Sequence, residues 1–177
     1  SSTIERIVAQ EGSTVTIDGA TVKFDGAHAV AMELTDGVAT ISGSHLEGTQ
    51  SIGLVVNTYG GSASSSRADV FDSTIKGAQV GASVTQLGVL NVHDTLVQGT
   101  AAGSTGVALL GGSAVAQRST LVGEQNGVRI TRAAGVTADG TLVLDRSTVE
   151  GKTGAAIQVA GRPGRVPTAT IEVNNGS

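Results

Sequence analysis

The stretch DSTIKG at 72–77 sets the pattern for the chain, because close copies of it return along the sequence. In most copies a small polar pair precedes an aliphatic residue, one further residue and a Gly. The other copies are GSHLEG at 43–48, DTLVQG at 94–99, RSTLVG at 118–123 and RSTVEG at 146–151, with a degenerate first copy, GATVKF, at 19–24. Their shared aliphatic residues recur every 22 to 29 residues, a period typical of stacked repeat proteins: Val22, Leu46, Ile75, Val97, Leu121 and Val149.

Alternating apolar residues predict short strands on both sides of this phrase. Five residues before the shared aliphatic position, the inward residues are Ile17, Ile41, Val70, Val92, Ala116 and Leu144. Seven residues before it they are Val15, Ala39, Ala68, Leu90, Ala114 and Leu142. After each glycine a second strand offers the inward pairs Leu54/Val56, Ala82/Val84, Val107/Leu109, Val128/Ile130 and Ala155/Ile157, and AVAMEL at 29–34 is its irregular first copy.

Two polar columns accompany these apolar ones. Two residues before the aliphatic position stand Ala20, Ser44, Ser73, Thr95, Ser119 and Ser147, which predict a ladder of hydrogen-bonded hydroxyls at a corner. One residue after it stand Lys23, Glu47, Lys76, Gln98, Val122 and Glu150, a mostly polar and therefore outward column. Lys23, Glu47 and Lys76 alternate in charge, which predicts cross-strand ion pairs.

The pattern predicts an all-β fold: a single-stranded, right-handed parallel β-helix of about six to seven coils. No segment shows sustained helical periodicity with caps. The right hand is expected from the general crossover preference alone. A β-propeller and an antiparallel sandwich are the competing folds, but propeller blades are longer and sandwiches favour hairpin turns and larger core residues.

Composition narrows the function classes. The chain has 177 residues, 26 Gly, no Cys, only 2% aromatic residues and a net charge of −4. It has no basic stripe interleaved with aromatics, which argues against nucleic-acid binding. No apolar run approaches the roughly 20 residues of a membrane helix, and no signal peptide is visible at the start. Without Cys, disulfides and thiolate sites are excluded.

The length fits one domain over residues 1–177. We expect a partial N-terminal coil at 1–14, the repeated coils at 15–160, and a loop with a last partial coil at 161–177. Open strand edges invite aggregation, and no capping helix is evident at either end. The simplest expectation is that this chain is part of a longer rod.

The repeats GVTADGTLVLDRSTVEGKTGAAIQVA at 135–160 and SAVAQRSTLVGEQNGVRITRAAGV at 113–136 resemble pertactin-like passenger domains of Gram-negative autotransporters. The likeness runs from about Val15 to about Val159 and rests on a diffuse repeat signature. It implies a right-handed β-helix presented at the cell surface or secreted, anchored in the outer membrane by a barrel that is absent here, and acting as an adhesin or other virulence factor. The Arg-Gly-Asp tripeptide of some members is missing; the nearest string is Arg67-Ala68-Asp69, with Ala68 predicted to face inward.

Candidate catalytic and metal-binding residues are few. Asp72 and Asp94 share one coil position, with Asp18 and Asp145 one position earlier, and stacked carboxylates would be needed for a polysaccharide lyase or hydrolase. An Asp that begins a turn is the simpler interpretation. His28, His45 and His93 are scattered without metal-ligand spacing, no GxSxG surrounds a Ser, and no nucleotide-binding glycine motif occurs. We therefore expect no catalytic residue, metal or cofactor.

The variable stretches are the candidate partner-binding segments, because insertions in solenoids gather on one face. They are 59–67, with Tyr59, Ser64 and Arg67, and 161–167, with Arg162 and Arg165. The expected function is that of a non-enzymatic, host-interacting passenger segment, whose partner is a host cell-surface, matrix or complement protein. The alternatives are a polysaccharide-active β-helix enzyme and a purely structural stalk.

Overall fold

The computed structural model describes residues 3–26, 30–58, 65–132, 140–161 and 169–177, and these contain strands but no helix. The strands are β1 (Thr3–Ile4), β2 (Ile7–Gln10), β3 (Thr14–Asp18), β4 (Thr21–Phe24), β5 (Val30–Thr35), β6 (Val38–Ser42), β7 (His45–Gly48), β8 (Ile52–Asn57), β9 (Arg67–Phe71), β10 (Thr74–Gly77), β11 (Val80–Thr85), β12 (Val89–His93), β13 (Leu96–Gly99), β14 (Thr105–Leu110), β15 (Ser113–Gln117), β16 (Thr120–Gly123), β17 (Asn126–Thr131), β18 (Gly140–Asp145), β19 (Thr148–Gly151), β20 (Ile157–Ala160) and β21 (Ala169–Asn174).

Every third strand belongs to the same sheet, so the chain winds through three parallel sheets of seven strands each. The first sheet begins with β1, the second with β2 and the third with β3. Neighbouring strands in each sheet pair in parallel, so that Leu46, Ile75 and Val97 lie over one another. The fold is a parallel β-solenoid of about six turns. This confirms the predicted β-helix over the propeller and the sandwich; its right hand stays a prediction.

The core consists of aliphatic columns that run along the solenoid axis. The shared aliphatic column is fully buried from Val22 to Leu121, and Val149 at its end packs against the core while partly exposed. In the second sheet, Met32, Leu54, Ala82, Val107 and Val128 form a second column. Ala68 is fully buried, as predicted.

The corner between the third and first sheets turns on one residue in the left-handed region. Its φ lies between 46° and 59° in six successive copies: Gly19, Gly43, Asp72, Asp94, Arg118 and Arg146. The N–H of this residue donates to a carbonyl one coil further on, as from Asp94 to Gln117 at 3.0 Å and from Arg118 to Asp145 at 2.9 Å. The backbone ladder therefore continues around the bend.

The predicted hydroxyl ladder occupies the next residue of that corner. Thr95 Oγ1 donates to the carbonyl of His93 at 2.7 Å and accepts from the N–H of Ser73 at 3.3 Å, and its own N–H donates to Ser119 Oγ at 3.2 Å. The same arrangement recurs at Ser44, Ser73, Ser119 and Ser147. Each buried hydroxyl thus satisfies an N–H of one coil and a carbonyl of its own.

From Gly48 to Gly151, the bend between the first and second sheets begins at the glycine that ends the repeated phrase; Phe24 occupies this position in the first copy. A Cβ built on Gly77 would overlap the carbonyl oxygen of Val80 and lie 2.7 Å from the backbone nitrogen of Gly53. Gly48, Gly99 and Gly123 approach the first residue of the following strand in the same way, and Gly151 approaches Ala155 in the bend before β20. This glycine is therefore fixed by close backbone approach.

One strand prediction is wrong at the end of the solenoid. The inward pair of β20 is Ile157 and Val159, which align with Val128 and Ile130, whereas the sequence predicted Ala155 and Ile157. Ala155 is exposed in the bend that precedes the strand. The turn after Gly151 is longer than the turns after Gly77 and Gly123. Gly154 resembles the glycine that begins the second strand in the earlier copies, so the strand was predicted two residues too early.

Candidate interaction face

The outward side chains of the third sheet make a continuous polar surface on its middle strands. We call this the third-sheet face; it comprises Arg67, Asp69 and Phe71 of β9, Asn91 and His93 of β12, and the corner residues Asp94 and Arg118. Parallel register sets Asp69 beside Asn91 and Phe71 beside His93. The face is therefore built by outward positions of β9 and β12 and by the corners that follow β12 and β15, so it spans three neighbouring coils.

Arg67 is the described member of the predicted partner-binding set. Its guanidinium is exposed and donates to Asp69, from Nε at 2.8 and 3.0 Å and from Nη2 at 2.9 Å. Asn91 Nδ2 donates to the same carboxylate at 2.7 Å. Burial alone would raise the pKa of Asp69, but the hydrogen bonds from Arg67 and Asn91 outweigh it and lower that pKa.

Tyr59, Ser64, Arg162 and Arg165 lie outside the described residues. The residues that flank 59–64 do belong to the described part of the chain. The N–H of Ser66 donates to Thr58 Oγ1 at 2.8 Å, and Ser66 Oγ donates to the carbonyl of Asn57 and accepts from the N–H of Asp36 at 2.6 Å. Both Thr58 and Ser66 are buried. Thr58 and Ser66, which flank residues 59–64, are therefore held together by a hydrogen bond immediately before Arg67; we call this pair the neck.

The possible acidic pair at the corner is neutralised in part by a cation. Arg118 donates to Asp94 from Nε at 2.8 Å and from Nη2 at 2.5 Å. These hydrogen bonds lower the pKa of Asp94 and raise that of Arg118. A carboxyl group with a lowered pKa is ionised at neutral pH and is poorly suited to donate a proton. Asp72 occupies the equivalent corner of the preceding coil.

Phe71 and His93 add an aromatic element to the face. Their ring centroids are 5.0 Å apart and their planes differ by 15°, so they stack across the strand pair. This pair was not predicted from the sequence, although both residues stand four positions before the shared aliphatic residue of their coils. A shallow depression at the neighbouring corner is lined by Asp94, Thr95, Leu96, Arg118 and Thr120.

Other charged side chains form local pairs. Lys23 lies 3.4 Å from Glu47 across the first sheet, which confirms that part of the predicted outward ladder. His45 also lies 3.3 Å from Glu47. Over the described ranges, no three or more His, Asp or Glu side chains are grouped so that they could hold a metal ion. The described part of the chain offers no helix long and apolar enough to span a membrane.

No protein-family model matches the chain, and no curated protein matches it in sequence.

Proposed function

We propose that this chain is a non-catalytic segment of a surface-presented β-solenoid, of the kind that autotransporters secrete, and that it displays a binding surface to a host protein. The observation that carries the proposal is the neck at Thr58 and Ser66. The hydrogen bond from the N–H of Ser66 to Thr58 joins the two sides of residues 59–64, while β8 and β9 pair in register with the coils on both sides. A solenoid that keeps its strand register on both sides of a variable stretch is suited to display that stretch to a partner.

The electrostatics of the third-sheet face support binding more than catalysis. Asp69 and Asp94 are each held by a guanidinium, and hydrogen bonding lowers both of their pKa values. The face thus presents charged groups of both signs and an aromatic stack at fixed spacing. Such a mixed surface is suited to a protein partner, whose own polar groups can be matched to it.

Binding of the purified chain to a panel of purified host matrix and complement proteins would test the proposal. We expect at least one partner whose binding is weakened when residues 60–64 are deleted, leaving Thr58 and Ser66 to close the neck. Arg67→Gln should weaken the same binding. Arg129→Gln is the matched control, because Arg129 is exposed on the second sheet, away from this face.

The outcomes separate the candidate functions. Binding that survives both the deletion and Arg67→Gln would overturn the assignment of this face. A chain that binds no panel member would favour a structural stalk. Turnover of polyuronates, with or without Ca²⁺, would favour a polysaccharide-active enzyme and overturn the non-catalytic assignment.

A further inference from the structure

The aromatic stack of the third-sheet face has one free side. Parallel register places a column of outward residues one above another at the ends of the third-sheet strands: Asp18, Ser42, Phe71, His93 and Gln117. The rings of Phe71 and His93 lie 5.0 Å apart, so each ring occupies about one coil of this column. One side of Phe71 is covered by His93, and its other side is turned toward Ser42.

Ser42 is too short to cover that side of the Phe71 ring. Asp18 and Phe71 are two coils apart, which sets their backbones roughly 10 Å from each other. Ser42 stands between them, and its Oγ donates to Asp18 Oδ1 at 2.8 Å, so its hydroxyl points away from Phe71. We call the space above Ser42, with Phe71 and Asp18 as its two walls, the Ser42 slot.

The corner beside the slot is also open. The corner residues after Asp18 and Ser42 are Gly19 and Gly43, whereas the corners of the next four coils carry charged side chains. A Cβ added to Gly19 would meet nothing within 4 Å, and one added to Gly43 would meet only the nitrogen of Gly19, at 3.9 Å. The slot can therefore be entered from the corner as well as from the front.

The charges around the slot favour a cation. Asp18 is exposed, and within the described ranges only Ser42 bonds to its carboxylate. Asp72, the corner residue that follows Phe71, is exposed and forms no side-chain hydrogen bond or ion pair with a described residue. The two arginines of the third-sheet face are each already bound to an aspartate. The field at the slot is therefore set by carboxylates that still attract positive charge.

We propose that the Ser42 slot binds the guanidinium group of an arginine side chain that a protein partner presents. A guanidinium is planar, so it can stack on the free side of Phe71 at the usual contact distance of about 3.5–4.0 Å. Its N–H groups can donate to the carboxylate of Asp18 at the same time. The ammonium group of a lysine offers no plane to stack. This inference deepens the proposed function and rests on it only in taking the partner to be a protein.

Nuclear magnetic resonance titration of the 177-residue chain tests the slot without any host protein. The probes are three blocked peptides, Gly-Ser-Arg-Ser-Gly and its counterparts with lysine or citrulline in the middle, at constant ionic strength. We expect the arginine peptide to shift the amide signals of Ser42 and Phe71 and to saturate in the range of about 1–50 mM. The lysine peptide should bind at least about threefold more weakly. The uncharged citrulline peptide should give no saturable shift.

Variants of the two walls and of the floor test where the peptide binds. Phe71→Leu and Asp18→Asn should each weaken binding by about threefold or more. Ser42→Phe should remove binding, because a third ring in the column fills the slot. Glu11→Gln is the matched control: Glu11 is exposed in the turn between the second and third sheets, and the change removes the same charge as Asp18→Asn. It should leave binding unchanged.

Circular dichroism spectra that match the parent chain would show that the variants are folded. An arginine peptide that does not bind, or that binds Ser42→Phe as well as the parent chain, would overturn the slot whatever the host-protein panel gives. Equal binding of the lysine peptide would overturn the stacking on Phe71. An arginine peptide that binds the parent chain but not Ser42→Phe would support the slot even if no panel member binds.

Discussion

At the scale of single residues, the corner of the solenoid depends on hydroxyl groups that serve two coils at once. Thr95 bonds to His93 of its own coil and to Ser73 and Ser119 of its neighbours. A buried N–H that loses its acceptor costs about 1–3 kcal/mol of folding free energy. The Ser and Thr residues of this column are therefore required for their hydroxyl groups. A side chain of the same size without a hydroxyl would not replace them.

Replacing Thr95 with Val keeps the shape of the side chain and removes its hydroxyl. We expect the free energy of unfolding to fall by about 1–3 kcal/mol, because the N–H of Ser73 is left without its acceptor. Thr95→Ser is the control, which keeps the hydroxyl and should cost no more than about 0.8 kcal/mol for the lost methyl. Urea denaturation measures both. A Val variant as stable as the Ser variant would contradict the ladder.

The carboxyl group of Asp69 predicts an acid-dependent part of the stability. Its pKa is lower in the folded state than in the unfolded chain, so its stabilising contribution is fully present above the unfolded value near 4 and is lost as pH falls through the lower folded pKa. Asp69→Asn should therefore be less stable than the parent at pH 7. The difference should shrink below pH about 4. A difference that is constant from pH 7 to pH 2 would contradict the role of this carboxylate.

At the scale of the elements, the strands are short, and the bends between the sheets fix where each strand begins and ends. The corner between the third and first sheets uses a left-handed residue, and the bend between the first and second sheets uses a closely packed glycine. The connection between the second and third sheets holds the insertion at 59–64. The strand bounds leave two residues at every corner between the third and first sheets, two to five between the first and second sheets, and two to nine between the second and third sheets. Changes of length are therefore largest in the last of these connections.

Gly77→Ala tests the bend between the first and second sheets. We expect a loss of about 1–3 kcal/mol or more, because the new Cβ overlaps the carbonyl oxygen of Val80 and backbone must shift to make room. Gly103→Ala is the matched control: its φ is +79° but nothing lies within 4 Å of the added atom. That control should cost only about 1–2 kcal/mol of backbone strain. Thermal unfolding measures both variants. A Gly77→Ala variant that is as stable as the Gly103→Ala variant would contradict the role of close backbone packing at Gly77.

The aliphatic columns could be read from the sequence because equivalent residues keep a fixed distance from the shared aliphatic position within each phrase. The inward residues of the second strand were predicted correctly where a glycine lies near its start, as at Gly81 and Gly106. They were predicted wrongly at Ala155, because Gly154 belongs to a longer turn and not to the strand. A sequence pattern does not show how many residues a turn consumes.

The candidate site was harder to predict than the fold. Arg67 was found because it adjoins a variable stretch, whereas Asp69, Asn91 and the Phe71–His93 stack were missed. These contacts join neighbouring coils, so they depend on which outward residues are in register. The outward alternation could have grouped Phe71 with His93, but the pairing of Asp94 with Arg118 depends on side-chain directions at a left-handed corner.

At the scale of the whole molecule, the solenoid is a one-dimensional stack in which each coil contacts its neighbours. The contribution of equivalent residues to the free energy of unfolding therefore depends on where their coil lies along the axis. Val84 and Val159 belong to the same column, but Val84 is fully buried and Val159 is 43% exposed.

Val84→Ala should lower the free energy of unfolding by about 2 kcal/mol through lost burial and the cavity that remains. Val159→Ala should cost less than about 1 kcal/mol, because nearly half of that side chain is already in solvent. Chemical denaturation of the two variants gives the comparison. Equal losses would contradict the uneven coverage of the column.

The stacking register itself can be measured with spin labels, because the chain has no cysteine of its own. Labels at exposed or half-exposed positions of the first sheet would be introduced in pairs: Glu47→Cys with Lys76→Cys, Lys76→Cys with Gln98→Cys, and Glu47→Cys with Gln98→Cys. Register sets the first two pairs one coil apart and the third two coils apart, with backbone separations of about 5 and 10 Å. We predict strong and similar dipolar broadening for the first two pairs and weaker broadening for the third. Absence of broadening for either one-coil pair would contradict a parallel, in-register solenoid.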